Sequence, residues 1–361
     1  MYDTNVRFNH IQALRFFAAA AVVVDHSVIF WHMKFPGVID EATRDYFGWT
    51  GGWAVALFFC ISGFVITHSS QNLSPLRFLS VRLLRIFPAF WLACGLAAAI
   101  KLFLFHSLDW RAEGYDWKVL SLLPAGPRSY PLRIEWSLIY EVFFYVLVAI
   151  VLALPWKNRI FWFSVVWLAA ILGARAVGHQ YSDRYPTFPE IFISSRNLPF
   201  IGGVFVYYYG RSTFVRRWYP FMPFWALGIA LLAQITPHDF GVTITQAISS
   251  MLLVAFAVER DHIKPMANDG PLVKLGDASY GLYLFHITVI TVLLALWQGS
   301  HSWVVTVGSV IAFGLSIGLM YGVLEQRLYR AMKRRLDALL GAPSGSTKEV
   351  KVSTPATREA R

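Results

Sequence analysis

Long apolar runs recur along the whole of this 361-residue chain, and they constrain its fold more than any other feature. An apolar run of about 20 residues is what an α-helix needs to cross the hydrocarbon core of a bilayer. Only 15% of the residues are charged, whereas a soluble domain has roughly 25%. The sequence therefore predicts an all-α, polytopic membrane protein. It has ten predicted spans, at approximately 11–33, 50–69, 81–105, 135–155, 159–177, 196–209, 221–236, 240–258, 277–297 and 302–324.

The sixth predicted span, 196–209, is short for a straight crossing, so we expect it to be broken or extended. The net charge of +11 would suggest a nucleic-acid partner for a soluble protein, but in a membrane protein basic residues set the orientation. With the N-terminus inside, 21 of the 32 lysine and arginine residues fall on the cytoplasmic side. This distribution predicts that both termini are cytoplasmic and gives no reason to expect a nucleic-acid partner.

The last predicted span is followed by a basic amphipathic segment, "EQRLYRAMKRRLDALL", which we expect to lie along the inner membrane surface. Residues 341–361 are polar and rich in proline, serine and threonine, a composition that favours disorder. The chain therefore divides into one membrane domain, 1–340, and a cytoplasmic tail, 341–361. There is no internal repeat and no metal-binding HExxH pattern, so we expect no metal cofactor.

The first span carries Arg15 and His26, which are eleven positions apart. At 100° per residue their side chains point within about 20° of each other, roughly 16 Å apart along the axis. Arg15 could simply reach the inner interface, and His26 could satisfy a hydrogen bond in the core. Ionisable groups inside a membrane are costly and usually mark a functional site, so the pair on one face favours function.

Two further stretches place charged residues in apolar surroundings. Arg82 and Arg85 share a helix face at the inner membrane surface. They are either positive-inside anchors or a phosphate-binding pair, because guanidinium groups suit phosphate oxygens. Glu141 lies about 9 Å below the predicted outer boundary, at a depth similar to that of His26. The two could form a carboxylate–imidazole pair, which Ser137, one turn earlier, could join.

Smaller signals complete the set of candidate residues. Ser62 precedes a glycine that permits close backbone approach, as a packing motif or a substrate contact. Tyr280 and His286 lie in the ninth span, His286 near mid-membrane. With Ser137, these are the candidate pore-lining or substrate residues. Cys60 and Cys94 both fall in spans and are interpreted as small core residues.

Together these stretches resemble the acyltransferase-3 family of integral membrane acyltransferases. The matching pieces, in order, are Arg15-x10-His26, "FFCISGF" at 58–64, Arg82-x2-Arg85, "WSLIYE" at 136–141 and "SYGLYLFH" at 279–286. The resemblance implies a ten-helix domain in a bacterial inner membrane. It also implies a cytoplasmic acyl-CoA donor, most commonly acetyl-CoA, and transfer to hydroxyls of a cell-surface or exported glycan or glycolipid. The family's essential histidine maps onto His26, and its donor-linked arginines map onto Arg82 and Arg85.

The chemistry of these candidate residues suggests a mechanism for acyl transfer. Transfer from a thioester to a hydroxyl needs a base for the proton, and we hypothesise that His26 is that base, with Glu141 orienting or balancing it. Three arginines, Arg15, Arg82 and Arg85, would hold the phosphates of CoA. A covalent acyl-histidine relay stays open as a variant. The competing function is a proton-coupled transporter or flippase of a glycan or lipid-linked substrate, since intramembrane Arg, His and Glu also suit transport.

Overall fold

The computed structural model describes residues 7–71, 73–106, 108–178, 185–234, 239–297 and 302–339. Regular structure in these ranges is helical, and a single β-bridge between Ala125 and Thr187 belongs to no strand. Two short 3-10 helices, Ser195–Asn197 and Tyr219–Phe221, precede α8 and α10 respectively. The α-helices are α1 (Asn9–Lys34), α2 (Glu41–Ser70), α3 (Pro75–Phe105), α4 (Trp117–Leu120), α5 (Glu135–Leu152), α6 (Arg159–Ala176), α7 (Phe188–Ile193), α8 (Leu198–Tyr209), α9 (Thr213–Trp218), α10 (Met222–Gln234), α11 (Asp239–Ile263), α12 (Pro271–Leu296) and α13 (Trp303–Leu339).

Eight helices of the described chain are long and apolar enough to cross a membrane: α1, α2, α3, α5, α6, α11, α12 and α13. The all-α, polytopic class is therefore confirmed. The sixth and seventh predicted spans correspond to α8, with 12 residues, and α10, with 13. Twelve residues rise only about 18 Å, less than the roughly 30 Å of a bilayer core. The predicted end of the seventh span, at 235 and 236, lies outside the described residues, so ten spans remain a prediction.

The sixth span is interrupted, as its short length predicted. The chain passes from α7 through a 3-10 turn into α8, whose residues are mostly buried against α2, α6 and α11. Buried Asn197 donates to the carbonyls of Ile191, at 2.7 Å, and Ser194, at 3.1 Å. Non-helical backbone at membrane depth needs such partners inside the protein. The amide of Asn197 therefore makes the break tolerable.

The spans differ in how far they are enclosed by the protein. In α5 and α12, 78% and 72% of the apolar window is buried, compared with 22% in α6 and 28% in α13. The enclosed helices form the interior of the bundle, and α6 and α13 leave most of their surface for lipid. The candidate residues in α5 and α12 therefore lie in the protein interior.

Glycines allow helices to approach closely at two interfaces. A Cβ atom on Gly63 of α2 would lie 2.1 Å from the carbonyl oxygen of Phe200 in α8. Between α12 and α13, a Cβ atom on Gly281 would lie 2.4 Å from the Cα atom of Gly322. Small residues at such contacts let backbones pack by dispersion in lipid, where the hydrophobic effect gives little drive for association. The predicted close approach at Gly63 is thus confirmed.

The basic segment after the last predicted span is the end of α13, which continues without a break to Leu339. An unbroken α-helix keeps one axis with only gentle curvature. The segment therefore extends the last span along its axis instead of turning onto the membrane surface as expected. Its Asp337 pairs with Arg77 at the start of α3, with 3.1 Å between the charged atoms. The predicted tail, 341–361, lies outside the described residues.

Candidate active site

A cavity of about 420 Å³ lies between α1, α2, α3, α5, α12 and α13. Its wall includes the three predicted donor-binding arginines, Arg15, Arg82 and Arg85. Other predicted site residues in the wall are Ser62, Ser137, Glu141 and Tyr280. At one end lie Arg7 and Arg330, near the start of α1 and in the C-terminal part of α13. This is the end predicted to face the cytoplasm.

Arg85 is held by a carboxylate that the sequence analysis did not identify. It donates to Oε1 of Glu325 in α13, a residue that is 1% exposed. Its guanidinium also lies 5.0 Å from the ring centroids of both Tyr280 and Tyr329. The ion pair and the two rings fix the guanidinium in the cavity wall.

The other two arginines contact neutral groups. Arg82 donates to the hydroxyl of Ser69 and lies over the rings of Phe78, at 5.7 Å, and Tyr145, at 5.8 Å. Arg15 donates to Oε1 of Gln12, one turn earlier on α1, at 3.4 Å. A neutral partner leaves the positive charge of a guanidinium available to an anion, so Arg15 and Arg82 present positive charge to the cavity, which Glu141 in the same wall partly offsets.

Glu141 faces this cavity and not His26. Its Oε1 accepts from the hydroxyl of Tyr145 at 2.6 Å and from that of Ser62 at 3.4 Å. The predicted pair of Glu141 and His26 is not among these contacts. Depth along the span suggested the pair, but depth does not give the direction in which α5 points Glu141. The carboxylate instead attracts the guanidinium of Arg15 electrostatically.

Two hydroxyl groups in the cavity wall contact each other. Ser137 Oγ and Tyr283 Oη lie 2.6 Å apart, and both residues line the cavity. The ring of Phe58 lies 5.8 Å from that of Tyr283. Along α12, Tyr280 and Tyr283 line the cavity, and His286 comes one turn farther from the arginines. Along α12, the hydroxyl pair therefore lies between Tyr280, which contacts Arg85, and His286.

His26 of α1 contacts His286 of α12. Nδ1 of His26 lies 2.8 Å from Nε2 of His286, and Nδ1 of His286 lies 2.7 Å from the carbonyl oxygen of Tyr283. His286 is completely buried, whereas the His26 side chain is 20% exposed. His26 therefore combines a fixed partner on one side with an accessible edge.

Asp25 also belongs to this region, although its direction on the helix gave no reason to include it. Its Oδ2 lies 3.9 Å from Nε2 of His26, and the carboxylate is 5% exposed. Gly51 of α2 makes room for it, because a Cβ atom there would lie 2.0 Å from Oδ2. The side chains of adjacent residues leave a helix about 100° apart. Their outer atoms can still come close together when a neighbouring helix packs against them. The sequence carried no signal for that convergence.

Three comparisons bear on what such a site does. Residues 8–323 match the model of a family described as an acyltransferase domain. The chain is 28% identical over 305 residues to the exopolysaccharide production protein ExoZ of Rhizobium meliloti (strain 1021). The alignment covers 79% of this chain and 92% of the relative. It is also 25% identical over 365 residues to nodulation protein 10 of Rhizobium leguminosarum bv. viciae. That alignment covers 91% of this chain and 94% of the relative.

Proposed function

Because this chain belongs to the acyltransferase-3 family of membrane acyltransferases, we propose that it transfers an acyl group, most simply acetyl, from acyl-CoA to a hydroxyl of a glycan. The observation that carries this proposal is the arrangement of two sites in one bundle. An arginine-lined cavity includes the hydroxyl pair of Ser137 and Tyr283 in its wall, and one turn farther along α12 His286 contacts the partly exposed His26.

The cavity suits the donor. Guanidinium groups bind phosphate oxygens through short, charge-assisted hydrogen bonds, so Arg15, Arg82 and Arg85 would hold the phosphates of CoA. A volume of about 420 Å³ lies within the range of ligand pockets and accommodates the narrow pantetheine arm with its acyl group. The nucleotide end would then lie at the mouth, near Arg7 and Arg330. The thioester would then lie near the hydroxyl groups of Ser137 and Tyr283.

The chemistry then follows from the residues around the thioester. His26 takes the proton of the acceptor hydroxyl as the oxygen attacks the thioester carbonyl. Ser137 Oγ donates to the carbonyl of Ile134 at 2.9 Å, so the hydroxyl of Tyr283 is the one that would turn from Ser137 and donate to the oxyanion that forms. As the carbon–sulfur bond breaks, the CoA thiolate takes the proton back from His26. Glu141 acts on the donor side of this scheme, where it attracts Arg15.

The names of the two relatives supply the acceptor class. One is an exopolysaccharide production protein and the other a nodulation protein, both from bacteria. A hydroxyl on an exported or surface glycan or glycolipid, reached from the outer side of a bacterial inner membrane, fits a chain whose histidine lies away from the predicted cytoplasmic end. The membrane lipids and this acceptor would be its partners.

The test compares His26→Ala with His32→Ala, a second histidine on α1 that lies 3.7 Å from exposed Glu41. Both variants and the wild type are purified in detergent and supplied with acetyl-CoA, with and without a surface-glycan extract as acceptor. The wild type and His32→Ala should release free CoA in a saturable, acceptor-dependent reaction, and His26→Ala should lose at least about 100-fold in rate, the usual contribution of a general base.

Surface glycans of cells that carry each variant, compared by mass spectrometry, give the acceptor. A normal rate in His26→Ala would overturn its role as base. Failure of the wild type to bind or cleave acyl-CoA, together with substrate flux in its absence, would establish a transporter instead.

A further inference from the structure

Arg133 lies in the turn that leads into α5, and its backbone is in the left-handed region, with a φ of 60°. That conformation suits glycine or asparagine, so backbone preference does not explain an arginine there. Buried neighbours hold the turn: Ile134 is completely buried, and the amide of buried Leu132 donates to Oε1 of Glu135 at 2.8 Å. The side chain of Arg133 is exposed. Strained backbone that its surroundings maintain is concentrated at functional sites, so we ask what this side chain reaches.

The guanidinium of Arg133 is one aromatic ring away from His26. It lies 5.4 Å from the ring centroid of Phe30, and the ring of Phe30 lies 6.1 Å from that of His26. Phe30 comes one turn after His26 on α1, on the side away from Arg15. Arg133 is therefore near the histidine but on the side opposite the cavity arginines, where the acceptor is expected.

The backbone of this turn is fixed to the same region of the protein. The carbonyl of Ile134 accepts from the hydroxyl of Ser137 at 2.9 Å, and Ser137 contacts the hydroxyl of Tyr283 at 2.6 Å. The carbonyl of Tyr283 lies 2.7 Å from Nδ1 of His286, one member of the histidine pair. The turn therefore has a defined position relative to the histidines, as a residue that orients a substrate requires.

The charge of Arg133 is not balanced by the described part of the protein. Its guanidinium contacts the ring of Phe30, and no described carboxylate pairs with it. A contact with an aromatic ring leaves the N–H donors of a guanidinium to an anion. Arg128, in the same connection between α3 and α5, is by contrast paired with Asp116 at 3.1 Å. Arg133 thus presents an exposed positive charge beside the histidine region.

We propose that Arg133 binds an anionic group of the acceptor, a carboxylate or a phosphate on the sugar chain, and so makes the site specific for acidic glycans. This inference rests on the proposed function, in which His26 acts on the acceptor hydroxyl. A planar guanidinium holds either anion through parallel hydrogen bonds, which fix its orientation as well as its position. An acceptor held in this way passes Phe30 and brings a nearby hydroxyl to His26. Arg133 takes no part in the proton transfer.

The test uses acceptors that differ only in charge. A surface-glycan extract is used untreated, after chemical reduction of its carboxylates to alcohols, and after removal of its phosphates with hydrofluoric acid. With saturating acetyl-CoA, loss of the recognised anion should raise the KM of the wild type for the extract about 10- to 100-fold, the effect of one hydrogen bond to a charged group. The treatment that raises the KM distinguishes a carboxylate from a phosphate.

Three variants assign this effect to Arg133. Arg133→Asn removes the charge and suits the left-handed backbone, so its thermal unfolding midpoint should be unchanged or higher. Its KM should be the same for all three extracts, with the KM for acetyl-CoA unchanged. Arg133→Lys keeps the charge but loses the parallel hydrogen bonds, so its KM for the untreated extract should be intermediate. Arg111→Asn removes another exposed arginine on the predicted outer side and should behave as the wild type.

Binding of the same extracts without acetyl-CoA, measured by calorimetry, does not depend on catalysis. If the wild type binds the untreated extract best, Arg133→Asn does not distinguish the extracts and no protein cleaves acyl-CoA, then the anion site stands and the proposed acyl transfer fails. The inference is overturned if the wild type binds all three extracts equally, or if Arg133→Asn still distinguishes them. It is also overturned if Arg111→Asn loses the distinction to the same extent.

Discussion

At the scale of single residues, the site depends on a few polar contacts that join distant parts of the chain. Ser137 contacts Tyr283 in the cavity wall, and Glu325 holds Arg85. Ser137 and Arg85 were candidates from the sequence, whereas Glu325 was not. Substituting one of these residues at a time distinguishes its role in binding, in chemistry and in stability.

The hydroxyl of Tyr283 is expected to act in the transition state. Removing one oxyanion donor typically costs about 100- to 1,000-fold in kcat. Tyr283→Phe should therefore lower kcat by that order and leave the KM for acetyl-CoA unchanged, in steady-state assays of purified protein. Tyr321→Phe is the matched control, because its buried hydroxyl bonds the carbonyl of Ala89 outside the cavity wall. A raised KM with normal kcat in Tyr283→Phe would assign it to donor binding instead.

The ion pair of Arg85 and Glu325 contributes to stability and binding in ways that can be told apart. Arg85→Met leaves Glu325, 1% exposed, without its partner, which should lower the free energy of unfolding by about 3–5 kcal/mol. Replacing both residues by Met should recover most of that stability, because no buried charge remains. Both variants should raise the KM for acetyl-CoA. Unfolding in detergent and steady-state kinetics measure the two effects, and a double variant as unstable as Arg85→Met would contradict this account.

At the scale of helices, packing decides which residues face the cavity. The break between α7 and α8 is stabilised by Asn197, and the resulting short helix packs tightly on α2 through Gly63. That contact sets the position of α2, which also supplies Ser62 and Phe58 to the cavity wall. The geometry of the site therefore depends on an interface that contains none of its charged residues.

Two glycine-to-alanine substitutions test this dependence. A Cβ atom on Gly63 would lie 2.1 Å from a backbone oxygen, whereas one on Gly95 of α3 would meet nothing within 4 Å. Gly63→Ala should push α2 and α8 apart and lower both the thermal unfolding midpoint and the activity. Gly95→Ala should be neutral or slightly stabilising, because alanine is the better helix former by about 1 kcal/mol. Equal behaviour of the two variants in detergent would show that the α2–α8 contact is not tight.

At the scale of the whole molecule, the cavity arginines and the histidine pair lie at different positions along the helix bundle. The arginine-lined mouth lies near the start of α1 and the C-terminal part of α13, and the histidine pair lies more than two turns farther along α1 than Arg15. This polarity matters only if the mouth faces the compartment that holds acyl-CoA. The distribution of lysine and arginine predicts that it does.

Reporter fusions measure that orientation. A fluorescent protein fused after residue 339 should fold and fluoresce in the cytoplasm. A phosphatase active only outside the cytoplasm should be active when fused in the connection between α1 and α2, at residue 38, and inactive after residue 339. The opposite pattern would place the arginines outside and exclude a cytoplasmic donor.

The sequence by itself determined the class of the protein and the arginines that line its cavity. Apolar runs of sufficient length dictate helices in lipid, because backbone groups there must be satisfied within the segment. Charges inside those runs are costly enough to mark Arg15, Arg82 and Arg85 in advance, and all three line one cavity.

Only the tertiary structure decided which of these charged and polar groups meet. His26 pairs with His286, 260 positions away, and Arg85 pairs with Glu325, 240 positions away. Sequence position along a span gives the depth of a side chain, but the rotation and neighbours of each helix come from packing. Glu141 was placed at the depth of His26, yet α5 turns it towards Tyr145 and the arginine-lined cavity. Depth is a local property of the chain, whereas a contact between spans depends on how all the helices pack together.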